Sequence, residues 1–497
     1  MAKGDMEFQI YAAFPTASGN EGSGLKNNRR CELWNYLELS FFSRGRHTQY
    51  DAFDRDTYWQ LSSIAVQFHQ GIDMHGKKGK GTIRVLWPLI LLMVPAFSTP
   101  GSDTPAAPNA GITAREVSPT PTDQHPAGNE NAITLFLCGD VMIGRGIDQI
   151  LPYPSDPRIY ESFVKDARDY VQIAEQANGP IPRPVGFSYI WGDALQELDR
   201  VQPDLRIINL ETSITGSNDF WPGKGINYRM HPDNVPCLQA AEIDACSLAN
   251  NHTMDWGYTG LLETMETLAR VNIRFTGAGK NQEEARTTPA VFEIEGKGRV
   301  IVSALCTTSS GVPSGWAAQV NTPGVNLIRD FSDDTVRGLA EQFARKKRAG
   351  DILVVSIHWG GNWGYEISKA HRSFAHKLID QAGVDVVHGH SSHHPRPIEV
   401  YNGKLILYGC GDFINDYEGI GGYEEYRDDL VLMYFPRIDP AAGQLIDLQM
   451  TPLQIKRMRL QRASRRDARW LQDTLNRYST KLGTHLELEE DNRLYLN

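Results

Sequence analysis

The chain has 497 residues, is 41% hydrophobic and 22% charged, and carries a formal net charge of −10. That length allows two to three domains, and that composition supports a globular fold for most of it. The acidic balance argues against non-specific nucleic-acid binding, and the sequence holds no zinc-finger, Walker or dinucleotide glycine pattern.

Residues 1–73 show no sustained helical or strand period. Met74-His75-Gly76-Lys77-Lys78-Gly79-Lys80 is a basic cluster, and 85–97 is an almost unbroken apolar run with Pro88 and Pro95 inside it. The run is short of the ~20 residues of a membrane span. A basic region, a short apolar region and then Ala96-Phe97-Ser98 form the layout of a secretory signal. The expectation is a signal peptide or signal anchor over 74–98, with Met74 as the start. Residues 1–73 are then an upstream over-read or a disordered extension. An exported location follows, periplasmic or otherwise extracytoplasmic, with 85–97 as the alternative membrane anchor. Residues 99–132 are rich in Pro, Thr, Ala, Ser and Gly and read as a disordered linker. The six cysteines (Cys31, Cys138, Cys237, Cys246, Cys306 and Cys410) are scattered. They read as buried free thiols rather than a disulfide framework.

From Ile133 the pattern changes. Residues 133–138 read as a strand that ends in Gly139-Asp140-Val141-Met142-Ile143-Gly144-Arg145. An acid just past a strand and a glycine is either a turn residue or a first metal ligand of an α/β hydrolytic site. Residues 160–177 and 191–201 read as helices. A strand over 205–210 repeats the design, with Asn209 and Glu211 at its end and on one face by alternation. A short helix over 233–241 and a strand over 243–248 lead into Asn250-Asn251-His252-Thr253-Met254-Asp255-Trp256-Gly257, followed by a helix over 261–271. Asn, His and Asp are poor strand interiors but good ligands and hydrogen-bonding groups. A capped turn is the alternative. A strand over 273–276 ends in Gly277-Ala278-Gly279, either a tight turn or a backbone approach to an anionic ligand.

Residues 291–305 read as a hairpin and 331–348 as an amphipathic helix. A buried strand over 351–357 ends in His358. After a helix over 368–382, a strand over 384–387 ends in His388-Gly389-His390-Ser391-Ser392-His393-His394-Pro395. Four histidines packed so closely at a strand end are hard to explain by packing and point to a metal. A hairpin over 398–408 turns at Asn402-Gly403, and Gly411-Asp412-Phe413 follows. Strands over 430–436 and 444–450, a helix over 465–478 and a hairpin over 486–496 close the chain.

Asp140, Glu211, Asn251, His252, His358, His390 and His393 all fall at carboxyl ends of predicted strands, which share one edge in a βαβ arrangement. Their donors suit one or two divalent ions such as Mn, Zn or Fe. Such ions activate a water and neutralise charge in an in-line displacement.

In order and spacing, these clusters resemble the CapA family of capsule-synthesis and poly-γ-glutamate biosynthesis proteins. The matching stretches are Gly-Asp-Val-Met-Ile-Gly-Arg (139–145), Asn-Leu-Glu-Thr-Ser-Ile-Thr (209–215) and Ala-Asn-Asn-His-Thr-Met-Asp-Trp-Gly (249–257). Gly-Ala-Gly (277–279), His-Trp-Gly (358–360), Gly-His-Ser-Ser-His-His-Pro (389–395), Pro-Ile-Glu (397–399) and Gly-Asp-Phe (411–413) follow. The family in turn resembles the calcineurin-like metallophosphoesterases. That resemblance implies an α/β sandwich of two mixed β-sheets flanked by helices over 133–417, with 418–497 completing the fold. It implies metal ligation by Asp140, by Glu211 in a bridging position, by Asn251, and by His358, His390 and His393. His252 takes the general-acid place. Asp255 is expected to orient that imidazole and raise its pKa. Arg145, Asn250, Gly277 and Gly279 are expected on the substrate side. Met142 stands where the phosphoesterase pattern has a histidine, and Glu211 where it has an aspartate, so one metal position is short of a ligand. The implied function is a metal-dependent hydrolase outside the cytoplasm. Its substrate is an anionic polymer or a lipid-linked molecule, and its partners are membrane capsule-synthesis proteins. The alternative is a non-catalytic assembly or export factor that binds an anionic capsular polymer.

Overall fold

A computed structural model describes residues 131–497. The expectations for 1–73, for the signal at 74–98 and for nearly all of the 99–132 linker lie outside the described residues. Among the described residues, no helix is long and apolar enough to cross a membrane.

Two large mixed sheets organise the chain. The first takes β1 (Ile133–Val141), β2 (Leu205–Leu210), β3 (Ala245–Ser247) and β4 (Arg274–Thr276). The second takes β5 (Ala290–Ile294), β6 (Gly298–Cys306), β7 (Asp351–His358), β8 (Val386–His390), β9 (Ile398–Tyr401) and β10 (Lys404–Leu407). The chain then returns to the first sheet for β11 (Asp412–Ile414), β12 (Leu430–Asp439), β13 (Gln444–Ile455), β14 (Leu460–Arg462), β15 (Leu486–Leu488) and β16 (Leu494–Leu496). Strand order in the first sheet is β15-β16-β13-β12-β1-β2-β3-β4, with β11 beside β1 and β14 beside β13. In the second it is β9-β10-β8-β7-β6-β5. Strands β1 to β4 run parallel, as do β6, β7, β8 and β10. Antiparallel β12 pairs directly with β1, so the segment after 417 supplies half of the first sheet.

Side-chain alternation sets the layers. Leu135 and Leu137 of β1 face the second sheet and share a core with Val300, Val302, Ile352 and Val354. Phe136 and Cys138 face the other way and pack with Leu198, Leu261 and Leu268 of the helices Ala194–Val201 and Gly257–Arg270. On the far face of the second sheet, Leu353, Val355 and Ile357 meet Val336, Phe343, Phe374 and Leu378 of the helices Asp333–Ala344 and Lys369–Ala382. The result is helix, sheet, sheet, helix. This is the α/β sandwich of two mixed sheets flanked by helices that the resemblance implies. Each fully buried Val, Leu or Ile contributes about 1.5–3 kcal/mol, so the central core locks two rows of strand ends against each other. The five cysteines among the described residues are free and buried.

Local chemistry marks the element ends. Ser332 and Ser368 cap the two helices on the second sheet, their hydroxyls accepting from the backbone N–H of Thr335 and His371. Asn402 and Gly403 take left-handed backbone, φ 50° and 75°, at the tight β9–β10 turn. The helix expected over 160–177 starts only at Arg168. A bridge between Arg158 and Asp166 and an ion pair from Glu161 to Arg145 hold the preceding stretch as a loop.

Candidate metal centre

The parallel strands of both sheets end on one rim. Asp140 lies on β1, Asn209 on β2, and Glu211 just past it. The loop after β3 carries Asn250, Asn251 and His252. His358 ends β7, His390 ends β8, and Asp412 begins β11. Register does the fine placement. His358 pairs with His390. Asp140 pairs with Asn209 on one side and with Asp412 on the other. Gly139 makes the second pairing possible: a Cβ there would lie 1.7 Å from the Gly411 carbonyl oxygen. That carbonyl accepts from Asp140 N–H at 3.0 Å.

His358 and His390 face each other through Nδ1 atoms 2.8 Å apart. Those atoms lie 3.9 and 3.8 Å from Asp140 Oδ1. Donor atoms of the three residues all fall within 4.8 Å of one another. Neighbours fix each group. Ser356 Oγ is 2.8 Å from His390 Nε2, and Asn251 Oδ1 is 3.0 Å from His358 Nε2. Asn209 Nδ2 donates to Asp140 Oδ1 at 2.7 Å and to Glu211 Oε2 at 3.3 Å. Ser391 N–H donates to Asp140 Oδ2 at 3.0 Å.

Asp140, Glu211 and Asp412 are buried. Among the described residues, no lysine or arginine forms an ion pair with any of them; the basic groups within reach are imidazoles. Burial, then the charge of Asp412, pushes Asp140 up to about 7. Burial and Asp140 push Glu211 up as well. Burial pulls His358 and His390 well below the usual imidazole range, so both are held in the neutral form that ligates metals. His393 is the exception: burial pulls it down, but Asp412, 2.9 Å from its Nδ1, more than offsets this. Neutral imidazoles and crowded carboxylates short of positive charge are a donor set that fits a divalent ion.

A cavity of about 530 Å³ opens on this rim, with Glu211, Lys224, Asn251, His252, His358 and His393 in its wall. His252 Nδ1 lies 2.6 Å from Asp255 Oδ2. Asp255 also accepts from Tyr228 N–H at 2.7 Å and pairs with Lys224 Nζ at 2.9 Å. Lys224 Nζ also lies 3.2 Å from Nδ1, but the carboxylate is nearer and favours the proton on that nitrogen, which leaves Nε2 on the side of Glu211 Oε1, 3.8 Å away. Asp255 therefore stands where expected, but the expected rise in the His252 pKa is reversed. Burial outweighs Asp255 and takes His252 down to about 4.

The residues expected on the substrate side are not among those lining this cavity. Arg145 is buried between Glu161, at 2.8 Å, and Asp416, at 2.5 Å, with its guanidinium over the Tyr170 ring. Asn250 is buried and holds its own loop: Nδ2 donates to Asn209 Oδ1 and Leu210 O, and Oδ1 accepts from His252 N–H at 3.0 Å. Gly277, at φ 86°, is close-packed, since a Cβ there would lie 2.7 Å from the side chains of Ala249 and Ala304. A Cβ on Gly279 would meet Ala285 N at 2.4 Å. At both positions close backbone packing calls for glycine. Sequence reasoning gave no site role to Asn209, Lys224 or Asp412. Asp412 carried a signal in Gly-Asp-Phe; Lys224, in a loop between Gly223 and Gly225, carried none.

Residues 134–417 match the family described as bacterial capsule synthesis protein PGA_cap. The chain belongs to this family. It is 51% identical over 369 residues to a Mycobacterium tuberculosis protein named "Probable polyglutamine synthesis accessory protein", covering 74% of this chain and 97% of that one. It is 26% identical over 308 residues to the PGA biosynthesis protein CapA of Bacillus subtilis, covering 62% of this chain and 68% of that one. A solved phosphatase structure from Mycoplasma pneumoniae aligns with 65% of this chain and 94% of its own, at 14% identity and a TM-score of 0.37. The PGA_cap family and the CapA resemblance read from the motifs coincide over the same stretch.

Proposed function

We propose that this PGA_cap member is a metal-dependent hydrolase. It acts outside the cytoplasm on an anionic capsular polymer of the polyglutamate type, or on a lipid-linked precursor, and cleaves a phosphoester or γ-glutamyl bond. The observation that carries this reading is the convergence of Asp140, His358 and His390, with His358 in the wall of a cavity that His252 also lines. Asp140, Glu211, Asn251, His358 and His390 would hold the ion, with Mn, Zn or Fe suiting those donors. An ion there supplies neutralisation of charge on the attacked phosphoryl or acyl oxygen. His252 works from Nε2. Neutral at rest, it takes a proton there from the attacking water and returns it to the leaving atom, while Asp255 stabilises the imidazolium in between. Lys224 Nζ pairs with Asp255 at 2.9 Å and lies 3.2 Å from His252 Nδ1, which fixes the carboxylate beside the ring.

The relatives' names motivate the polymer, and the basic and apolar layout over 74–98 motivates the exported location. Amino-terminal sequencing of exported protein checks the latter: a mature end near Thr99 is expected, and a retained Met1 contradicts it. The reaction is tested with the full chain on phosphoester and γ-glutamyl substrates. Turnover abolished by EDTA and restored by Mn²⁺ or Zn²⁺ is the expected result. Bound metal with no turnover, together with affinity for polyglutamate, would make the site a non-catalytic assembly element.

A further inference from the structure

Asp140, His358 and His390 account for one group of ligand atoms. Glu211 and His393 stand beside it, and the residue at 142 cannot complete a second group in the usual way. Met142 is buried, and its sulfur contacts the Tyr417 hydroxyl at 3.6 Å. A thioether is a soft ligand, poorly matched to a hard divalent ion.

Asp412 occupies the neighbouring place on the sheet. It pairs with Asp140 in parallel register between β11 and β1, which puts the two carboxylates on the same face. Its Oδ2 accepts from Asn415 Nδ2 at 2.8 Å. Its two oxygens meet His393 Nδ1 at 2.9 and 3.1 Å. That contact occupies Nδ1 and leaves Nε2 for the cavity, which His393 lines. A carboxylate that fixes one imidazole nitrogen sets the tautomer and the orientation of the other, as in metal-ligating histidines. A structural ion pair would need only one carboxylate for His393. Here Asp140 and Glu211 crowd the same buried corner with no lysine or arginine paired to them among the described residues.

We propose that Asp412 is a positioning residue for His393: by holding Nδ1 it aims Nε2 at a second divalent-cation position beside Asp140 and Glu211, where Met142 offers no imidazole. The proposal rests on the metal-site reading of the rim and adds a residue to it.

The test is calorimetric titration of the EDTA-stripped full chain with MnCl₂, with ion content measured on the same preparations. Wild type takes up two ions per chain. Asp412→Asn binds the second ion roughly 10–100-fold more weakly, the scale for losing a histidine's carboxylate partner, and keeps the first. Asp412→Glu restores part of the loss. His393→Gln repeats the loss if Asp412→Asn does not fold. Met142→Leu keeps both ions. A single ion in wild type overturns the role of Asp412 while leaving the first group intact. So does a second ion retained by both Asp412→Asn and His393→Gln, or lost on Met142→Leu. No ion in wild type overturns the metal-site reading itself.

Discussion

Glu197 and Asp140 are both fully buried carboxylates. Glu197, on the helix Ala194–Val201, is met by Arg200, Arg462 and Arg493. Asp140 is met by two imidazoles and an amide. Burial pushes Glu197 up, but its arginines outweigh burial and hold it at about 2. Burial and Asp412 push Asp140 the other way, to about 7. The same group in the same kind of interior moves in opposite directions because one centre brings its own cations and the other does not. The arginine centre ties β14 and β16 to the helix and is complete as it stands. The rim has no such arginines, and a bound cation, as proposed above, would supply the missing charge.

The largest break between the two centres is expected from Glu197→Gln. It strands three arginines around a neutral amide, and breaking a buried pair costs about 3 kcal/mol. Denaturant unfolding should show that loss with ion content unchanged. An unchanged midpoint would mean that the arginines hold nothing together.

His252→Ala comes next. Turnover should fall roughly a hundredfold, the lower range for losing an acid–base group, with ion content and melting temperature kept. A parallel fall in melting temperature and turnover would make His252 a packing residue and remove function from that side of the rim.

The smallest effect, and the one with opposite signs, is pH dependence. Glu197 is depressed from an unfolded value of ~4.3 to about 2. Its stabilisation is therefore full above ~4.3 and is lost as pH falls toward about 2. Asp140 is raised from ~3.9 unfolded to about 7. In metal-stripped protein the folded state holds the extra proton between those values, so this group lowers stability as pH rises toward about 7. A metal must displace that proton, so uptake strengthens with pH across the same window. Melting curves of stripped and loaded protein over about pH 2–8 read both effects. Parallel curves would mean that the rim is balanced without an ion.

Strand ends were legible in the sequence because their signals are local. The apolar run at 351–357 and the Asn402-Gly403 turn need no tertiary knowledge, and Asp140, Glu211, Asn251, His358 and His390 are conspicuous polar groups after such runs. The return of the chain to place β12 beside β1 depends on long-range pairing and left no local mark. Arg145 shares a motif with Asp140, yet its partners Glu161 and Asp416 belong to other stretches and turn it away from the cavity. Asp412 reaches the rim only because Gly139 has no Cβ to block the Gly411 carbonyl. For His252 the neighbour Asp255 was visible in the sequence, whereas the burial that outweighs it was not.

If a divalent ion fills the charge deficit at the rim, one melting experiment shows it. Wild type, Glu197→Gln and Asp140→Asn are stripped with EDTA above pH about 7, melted, and melted again with MnCl₂. Mn²⁺ should raise the melting temperature of wild type and of Glu197→Gln, by the equivalent of about 4 kcal/mol at a thousandfold excess over Kd, and leave Asp140→Asn unmoved. No gain in wild type, or an equal gain in Asp140→Asn, would contradict it.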